Sequence, residues 1–250
     1  ERLPNYDYRC YQKREKEPMN AYYYYKMNGI INADRSNMPE SQKTLQAEAQ
    51  LPGCPIIEDK NKDGKIDEND VYMKDNSPAI YVGIGNTFTY KRFEFSFFMY
   101  GQFGIQKYNI AYSAAQAGPL AVDYPENSNK FAYRLWNSQT NPNGSRPGLA
   151  IGKMGALPGN AWVNADRENA SFMRMRNITL AYNLAGNILG SLQRYVRNIK
   201  VYVDAQNPFI LTKFQGFDPE IYTGGGGASG GSRGEYPQTR TFSLGVNITF

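Results

Sequence analysis

Thr241, Phe242, Ser243, Leu244, Gly245, Val246, Asn247, Ile248, Thr249 and Phe250 form the stretch on which the reading of the fold turns. Side chains of an extended strand point alternately to its two faces. A period of two therefore sets Phe242, Leu244, Val246, Ile248 and Phe250 on one face and Thr241, Ser243, Gly245, Asn247 and Thr249 on the other. A strand with one apolar and one wet side suits the half-buried sheet of a soluble sandwich. It suits equally the wall of a membrane barrel, whose apolar side meets lipid. The remainder of the chain has to separate the two.

Working back from that strand, residues 79–102 read as a hairpin. Ile80, Val82, Ile84, Phe88 and Tyr90 share one parity before Lys91-Arg92, and Phe93, Phe95, Phe97 and Met99 share one after it, while Thr87, Thr89, Glu94, Ser96 and Tyr100 form a polar opposite face. Two strands of this length joined by two residues fit a tilted bilayer crossing, which takes about 9 to 11 residues, better than the five or six usual in a soluble sheet. A second pair is expected over 171–182 and 198–206, with a bulge where the parity slips near Arg176-Asn177. The Tyr-rich segment 20–31 supplies a sixth strand. The connections alternate between short (91–92 and 184–197) and long (33–78, 104–170 and 207–238), the pattern of a barrel with tight turns at one rim and long loops at the other. The glycine-rich run 224–234, GGGGASGGSRG, lacks the flanking strand and helix of a phosphate cradle and reads as a flexible loop.

Composition narrows the function. With 41% hydrophobic residues, a mean hydropathy of -0.61 and apolar runs of only a few residues, the 250-residue chain has no stretch able to cross a bilayer as a helix, so any membrane role must use strands. Twenty Tyr and 13 Phe suit rings gathered at two water–lipid boundaries, although aromatic-rich sugar-binding sandwiches share the bias. A net charge of +5 with no cationic run argues against nucleic acid as a partner. The absence of histidine removes Ser-His-Asp and Cys-His catalysis and His-ligated zinc. Cys10 and Cys54 lack metal-ligand spacing and are expected to be unbridged.

One segment carries recognisable chemistry. Asp59, Asn61, Asp63, the Lys65 carbonyl, Asp67 and Asp70 occupy ligand positions of a 12-residue calcium loop, with Gly64 at its sharp turn and Ile66 at its apolar position. Hard oxygens converging from a tightly turned chain suit Ca²⁺, and with no flanking helix the expected role is structural. The alternative is a solvated DG turn. Asp123, Glu126, Asp166, Glu168, Asp218 and Glu220 offer carboxylates for hydrolysis but read as solvated loop acids, and Trp136 and Trp162 read either as sugar platforms or as loop anchors. No catalytic residue is expected.

Four segments, DKNKDGKIDENDVYMKDNSPAIYVGIGNTFTYKRFEFSFFMYGQFG (59–104), SFMRMRNITLAYNL (171–184), VYVDAQNPFILTKFQGFDPEI (201–221) and YPQTRTFSLGVNITF (236–250), resemble in sequence and order the C-terminal region of TonB-dependent outer-membrane transporters of the SusC/RagA type. The resemblance implies an all-β fold in which residues 1–250 supply about six antiparallel strands of a larger, 22-stranded transmembrane barrel with long extracellular loops, residues 59–70 lying in one of them. It implies a Gram-negative outer-membrane location in contact with lipid, and import of oligosaccharides or peptides with a SusD-like surface lipoprotein as lid. Coupling to the TonB complex would run through an N-terminal plug that these 250 residues do not contain. Phe250 resembles the terminal aromatic residue that directs barrel assembly. The runner-up is a secreted, calcium-stabilised, carbohydrate-binding β-sandwich, and a carboxylate glycosidase comes third.

Overall fold

A computed structural model describes residues 2–8, 11–14, 18, 21–75, 77–109, 132–148, 157–158, 162–185, 189–191, 194–216, 218–220 and 238–250. The described strands are β1 (Arg2–Tyr8), β2 (Tyr11–Arg14), β3 (Ala21–Tyr25), β4 (Met27–Ile30), β5 (Pro55–Ile57), β6 (Tyr72–Asp75), β7 (Ile80–Tyr90), β8 (Phe93–Phe103), β9 (Gln106–Tyr108), β10 (Trp162–Val163), β11 (Arg167–Asn169), β12 (Phe172–Ala185), β13 (Asn198–Gln206), β14 (Ile210–Thr212) and β15 (Thr241–Thr249). Short 3-10 turns are the only helical elements among the described residues, and none is long and apolar enough to cross a membrane. The chain divides into two compact units, residues 1–77, 106–168 and 223–233 in one and residues 78–105, 169–222 and 234–250 in the other.

The second unit is built on one antiparallel sheet in the order β15-β13-β12-β8-β7, with β14 also paired to β12. Aromatic and β-branched residues dominate its strands, as a pleated surface favours. The β7–β8 hairpin closes at Lys91-Arg92, where Lys91 takes φ 54° and Tyr90 pairs with Phe93. A turn of that handedness matches the right-handed twist of the strands it joins. The expected bulge is present, since the β12–β8 register shifts between Met175 and Asn177. The partner strand breaks at the same level. β13 pairs with residues 177–185 of β12 and β14 with residues 172–174, so β14 continues the line of β13 beyond Asn207, which takes φ 48° and donates its N–H to Arg176 O at 2.9 Å. Two adjacent strands thus kink together, which keeps the ladder bonded through the irregularity.

The first unit corrects two expectations. Segment 20–31 is not the sixth strand of the long sheet; the sixth strand there is the short β14, which pairs with β12 in line with β13, so the sheet is five strands wide. Residues 21–25 instead form β3, antiparallel to β6 and parallel to β10, and residues 27–30 form β4, paired with β5. Tyr22, Tyr23 and Tyr25 are all buried, so both faces of β3 are covered, whereas a barrel wall needs one wet face. Segments 33–78 and 104–170, expected as loops, carry strands and a core of their own. Tyr25, Ile31, Leu45, Ala49, Cys54, Ile56, Ile57, Ile66 and Leu157 pack together. Gln42 lies fully buried among them, donating from Nε2 to Ala49 O and Pro55 O and accepting from Ile57 N–H, so its amide costs no unmet hydrogen bond. Trp136 anchors a loop in this unit by lying across Gly53, where a Cβ would come within 2.7 Å of the indole.

Candidate functional site

Residues directly opposite in an antiparallel ladder share a face, so the registers trace rows of side chains across the sheet. Phe88 pairs with Phe95, Phe95 with Leu180, Leu180 with Val203, and Val203 with Leu244. One residue along, Thr87, Ser96, Thr179, Asp204 and Ser243 form the neighbouring row on the other face. The first row is wholly apolar and the second wholly polar. Leu244 is 76% exposed, Phe88 55%, Val203 51% and Leu180 50%, while Phe95 is half-buried against Phe88 and Phe97. No second sheet covers this face among the described residues of the unit, which removes the ground for a sandwich.

The polar face binds itself together. Lys200 on β13 reaches Glu94 on β8 at 3.0 Å, past the small, buried Ala181 of the intervening β12, and Thr179 Oγ1 donates to Asp204 at 2.6 Å. Tyr202 lies over its partner Gly245, where a Cβ would fall 2.3 Å from the ring.

At the double kink sits a charged cluster that reading the sequence missed. Arg174 pairs in register with Tyr100, on the face of Glu94 and Ser96. It donates from Nη2 to both carboxylate oxygens of Asp218, and its Nε lies 2.8 Å from Glu220 Oε2. Arg176 also pairs with Glu220 and sits over the Tyr100 ring. Asp218 further accepts the backbone N–H of Glu220 and of Gln238, so one carboxylate ties two points of the chain 18 residues apart. Asp218 and Glu220, expected to be solvated, are therefore paired. Glu168 likewise pairs with Arg146 at 2.9 Å. The readable signal was a pair of arginines alternating with Met173 and Met175 and following Phe172, since a buried guanidinium needs a carboxylate partner.

The residues expected to hold calcium lie in one loop of the first unit. Gly64 takes φ 84°, and the chain turns so that Asp59 accepts from the N–H of Lys62 and of Gly64, Asp63 from Lys65, and Asp67 from Asn69. Asp70, fully buried, accepts from Lys60 N–H and Asp67 N–H, both at 2.8 Å. Asn61 donates its amide to Asp63, and Lys65 is exposed. Among the described residues no three acidic, His or Cys side chains gather as a metal-binding group. The nearby Tyr25 hydroxyl lies 2.9 Å from Asp67 O; burial, and then the charges of Asp70, Glu68 and Asp67, hold its pKa above the ordinary phenol value. Cys54 is free and buried, and its possible partner Cys10 lies outside the described residues, as do Asp123, Glu126 and the glycine-rich run. Phe250 is exposed at the end of β15.

No protein-family model matches the chain. It is 27% identical over 244 residues to TonB-dependent receptor P3 of Formosa agariphila, covering 95% of this chain and 23% of that protein. It is 31% identical over 196 residues to TonB-dependent receptor SusC of Bacteroides thetaiotaomicron, covering 77% of this chain and 17% of that protein. In fold it matches a structure of the RagAB peptide transporter with a TM-score of 0.67 at 22% identity, over 100% of this chain and 24% of that one, and a closed-closed state of the RagAB peptide importer with a TM-score of 0.65 at 21% identity, over 99% and 24%. The chain thus spans less than a quarter of the length of these relatives. Sequence likeness along most of its length to TonB-dependent receptors including SusC, joined to the fold it shares with the RagAB structures, places the chain among the TonB-dependent receptors of the SusC/RagA type.

Proposed function

We propose that this chain forms wall and extracellular loops of an outer-membrane, TonB-dependent nutrient importer, with β15 among its wall strands, and that the intact receptor takes up a glycan or peptide oligomer with a SusD-like surface lipoprotein. The observation that carries the reading is the row Phe88, Phe95, Leu180, Val203 and Leu244, apolar throughout and exposed at every position but the half-buried Phe95, backed by a row of hydroxyls and one carboxylate. Such a sheet is stable where one face meets hydrocarbon and the other a wet lumen. Its open edges, β7 and β15, require further strands, because unpaired backbone groups in lipid cost several kcal/mol each.

The test is uptake. Cells carrying the complete receptor and its companion lipoprotein should accumulate a labelled oligosaccharide or oligopeptide only while TonB is active. Accumulation of none from broad panels of both, with the receptor assembled in the outer membrane, would defeat the importer reading.

The loop 59–70 is proposed to bind calcium structurally through Asp59, Asn61, Asp63, the Lys65 carbonyl, Asp67 and Asp70. The support is the ligand spacing together with the turn at Gly64; binding requires several carboxylates to exchange backbone N–H partners for the ion. Isothermal titration with calcium against magnesium decides it.

A further inference from the structure

In the two-faced sheet, six described cations pair with no described acid, and four of them gather at the rim of strand ends beside the β7–β8 turn, Lys213 and Arg240 lying elsewhere. The β7–β8 turn, residues 194–197 and the end of β15 lie side by side there: Asn183 N–H donates to Arg92 O at 2.9 Å, Arg197 N–H donates to Thr249 O at 2.7 Å, and Asn198 pairs with both Ala185 and Thr249. Lys91, Arg92, Arg194 and Arg197 sit on these three stretches. The described acids of the unit are all engaged elsewhere, Glu94 with Lys200, Asp204 with Thr179, and Asp218 and Glu220 with Arg174 and Arg176.

The same rim carries rings. Tyr90, Phe93, Tyr195 and Phe250 are exposed, Phe93 packs at a tilt of 58° against Tyr182 with centroids 4.7 Å apart, and the Lys91 ammonium lies 5.4 Å from the Tyr90 centroid. Exposed rings suit the depth where acyl chains give way to headgroups, and long cationic side chains extend from that depth toward phosphate. A surface of this kind attracts anionic headgroups.

We infer that this rim is a binding surface for anionic phospholipid, its phosphate held by Lys91, Arg92, Arg194 and Arg197 and its acyl chains lying against the ring-bearing apolar face. The inference rests on the barrel-wall reading above. The occupant is a lipid rather than free phosphate because the cations border an apolar face, which a soluble anion would not use.

The complete receptor, reconstituted in nanodiscs of equal phosphatidylglycerol and phosphatidylcholine, tests it. Lipid retained after detergent extraction is counted by native mass spectrometry. Phosphatidylglycerol should be enriched several-fold in the wild type, and the enrichment should fall in 0.5 M salt. It should be lost when Lys91, Arg92, Arg194 and Arg197 are all replaced by Gln, and kept when Lys213 and Arg240, elsewhere in the unit, are replaced instead. If the fourfold variant does not assemble, the paired variants Lys91→Gln with Arg92→Gln, and Arg194→Gln with Arg197→Gln, should each lower the enrichment, and an unchanged enrichment in both would overturn the proposal. No enrichment in the wild type, enrichment unchanged in an assembled fourfold variant, or equal displacement of the lipid by millimolar inorganic phosphate would each overturn it. Failure of the barrel reading itself shows separately, as a receptor that does not enter nanodiscs.

Discussion

Arg174 and Asp218, 44 residues apart, meet through two hydrogen bonds of 2.6 and 2.7 Å from one guanidinium nitrogen, with their side chains only 4% and 5% exposed. Removing one partner of such a pair strands a charge, which costs about 3–5 kcal/mol, whereas removing both with apolar residues of similar volume can be nearly neutral. Arg174→Ala and Asp218→Ala should therefore each lower the unfolding midpoint of the complete receptor well below that of the double replacement Arg174→Met with Asp218→Leu. Equal midpoints for all three would show that the pair is not energetically coupled.

Leu180 and Thr179 are chain neighbours on opposite faces of the sheet. A cation on the lipid side of a barrel costs about 2–4 kcal/mol at mid-depth, and one on the lumen side much less. Leu180 lies opposite Phe95, two residues from the Phe93 ring, so Leu180→Lys should weaken folding into lipid vesicles, measured by denaturant titration, by less than that mid-depth figure, about 1–2 kcal/mol. Thr179→Lys should be milder. The reverse order would put the lipid on the wrong face.

Tyr202 fills the space above Gly245, and any side chain at 245 must displace its ring. Overpacking of this kind costs about 1–3 kcal/mol. Gly245→Ala should reduce the heat-resistant assembled band on cold gels, and adding Tyr202→Ala should restore part of it. No restoration would mean that the glycine is required for its backbone and not for the ring.

Within the acidic loop, Asp70 and Asp63 should separate. Asp70 is buried and braces Lys60 and Asp67, so Asp70→Ala should destabilise the loop with or without calcium, seen as faster amide exchange. Asp63 is exposed, and Asp63→Asn, which keeps an acceptor for the Lys65 N–H and gives up the Asn61 contact, should disturb the metal-free loop far less than Asp70→Ala and lower calcium affinity about tenfold or more. An identical calcium isotherm for Asp63→Asn and wild type removes Asp63 from the ligand set.

Burial pushes the Cys54 thiol up from 9.0 to about 11. Its folded pKa exceeds the unfolded one, so the stability it contributes is fully present below pH 9 and is lost as pH rises through 11. Alkylation by iodoacetamide at pH 8 should be far slower in the folded protein than in denaturant, and the unfolding midpoint should fall between pH 9 and 11 less in Cys54→Ala than in wild type. Rapid labelling at pH 8 without unfolding would contradict the burial.

The two-faced sheet was legible in the sequence because a strand exposes its side chains with a fixed period. The alternation at 80–103, 172–185, 198–206 and 241–249 states which residues share a face before any partner is known. The slip at Arg176-Asn177 even marks the bulge, since a broken period has a local cause. The twelve-residue spacing likewise named a loop that turns as expected at Gly64. What the sequence could not state was which distant residues meet. Segment 20–31 alternates imperfectly, and only packing decided that β3 is covered on both sides and lies in a small sheet of the first unit. Asp218 and Glu220 look like any loop acids until the chain returns them to Arg174 and Arg176, because ion pairing depends on separation in space and carries no period along the chain. The acidic loop shows the same division: its spacing is local and readable, whereas the direction of each carboxylate, toward backbone N–H or toward a shared point, is a property of the folded loop.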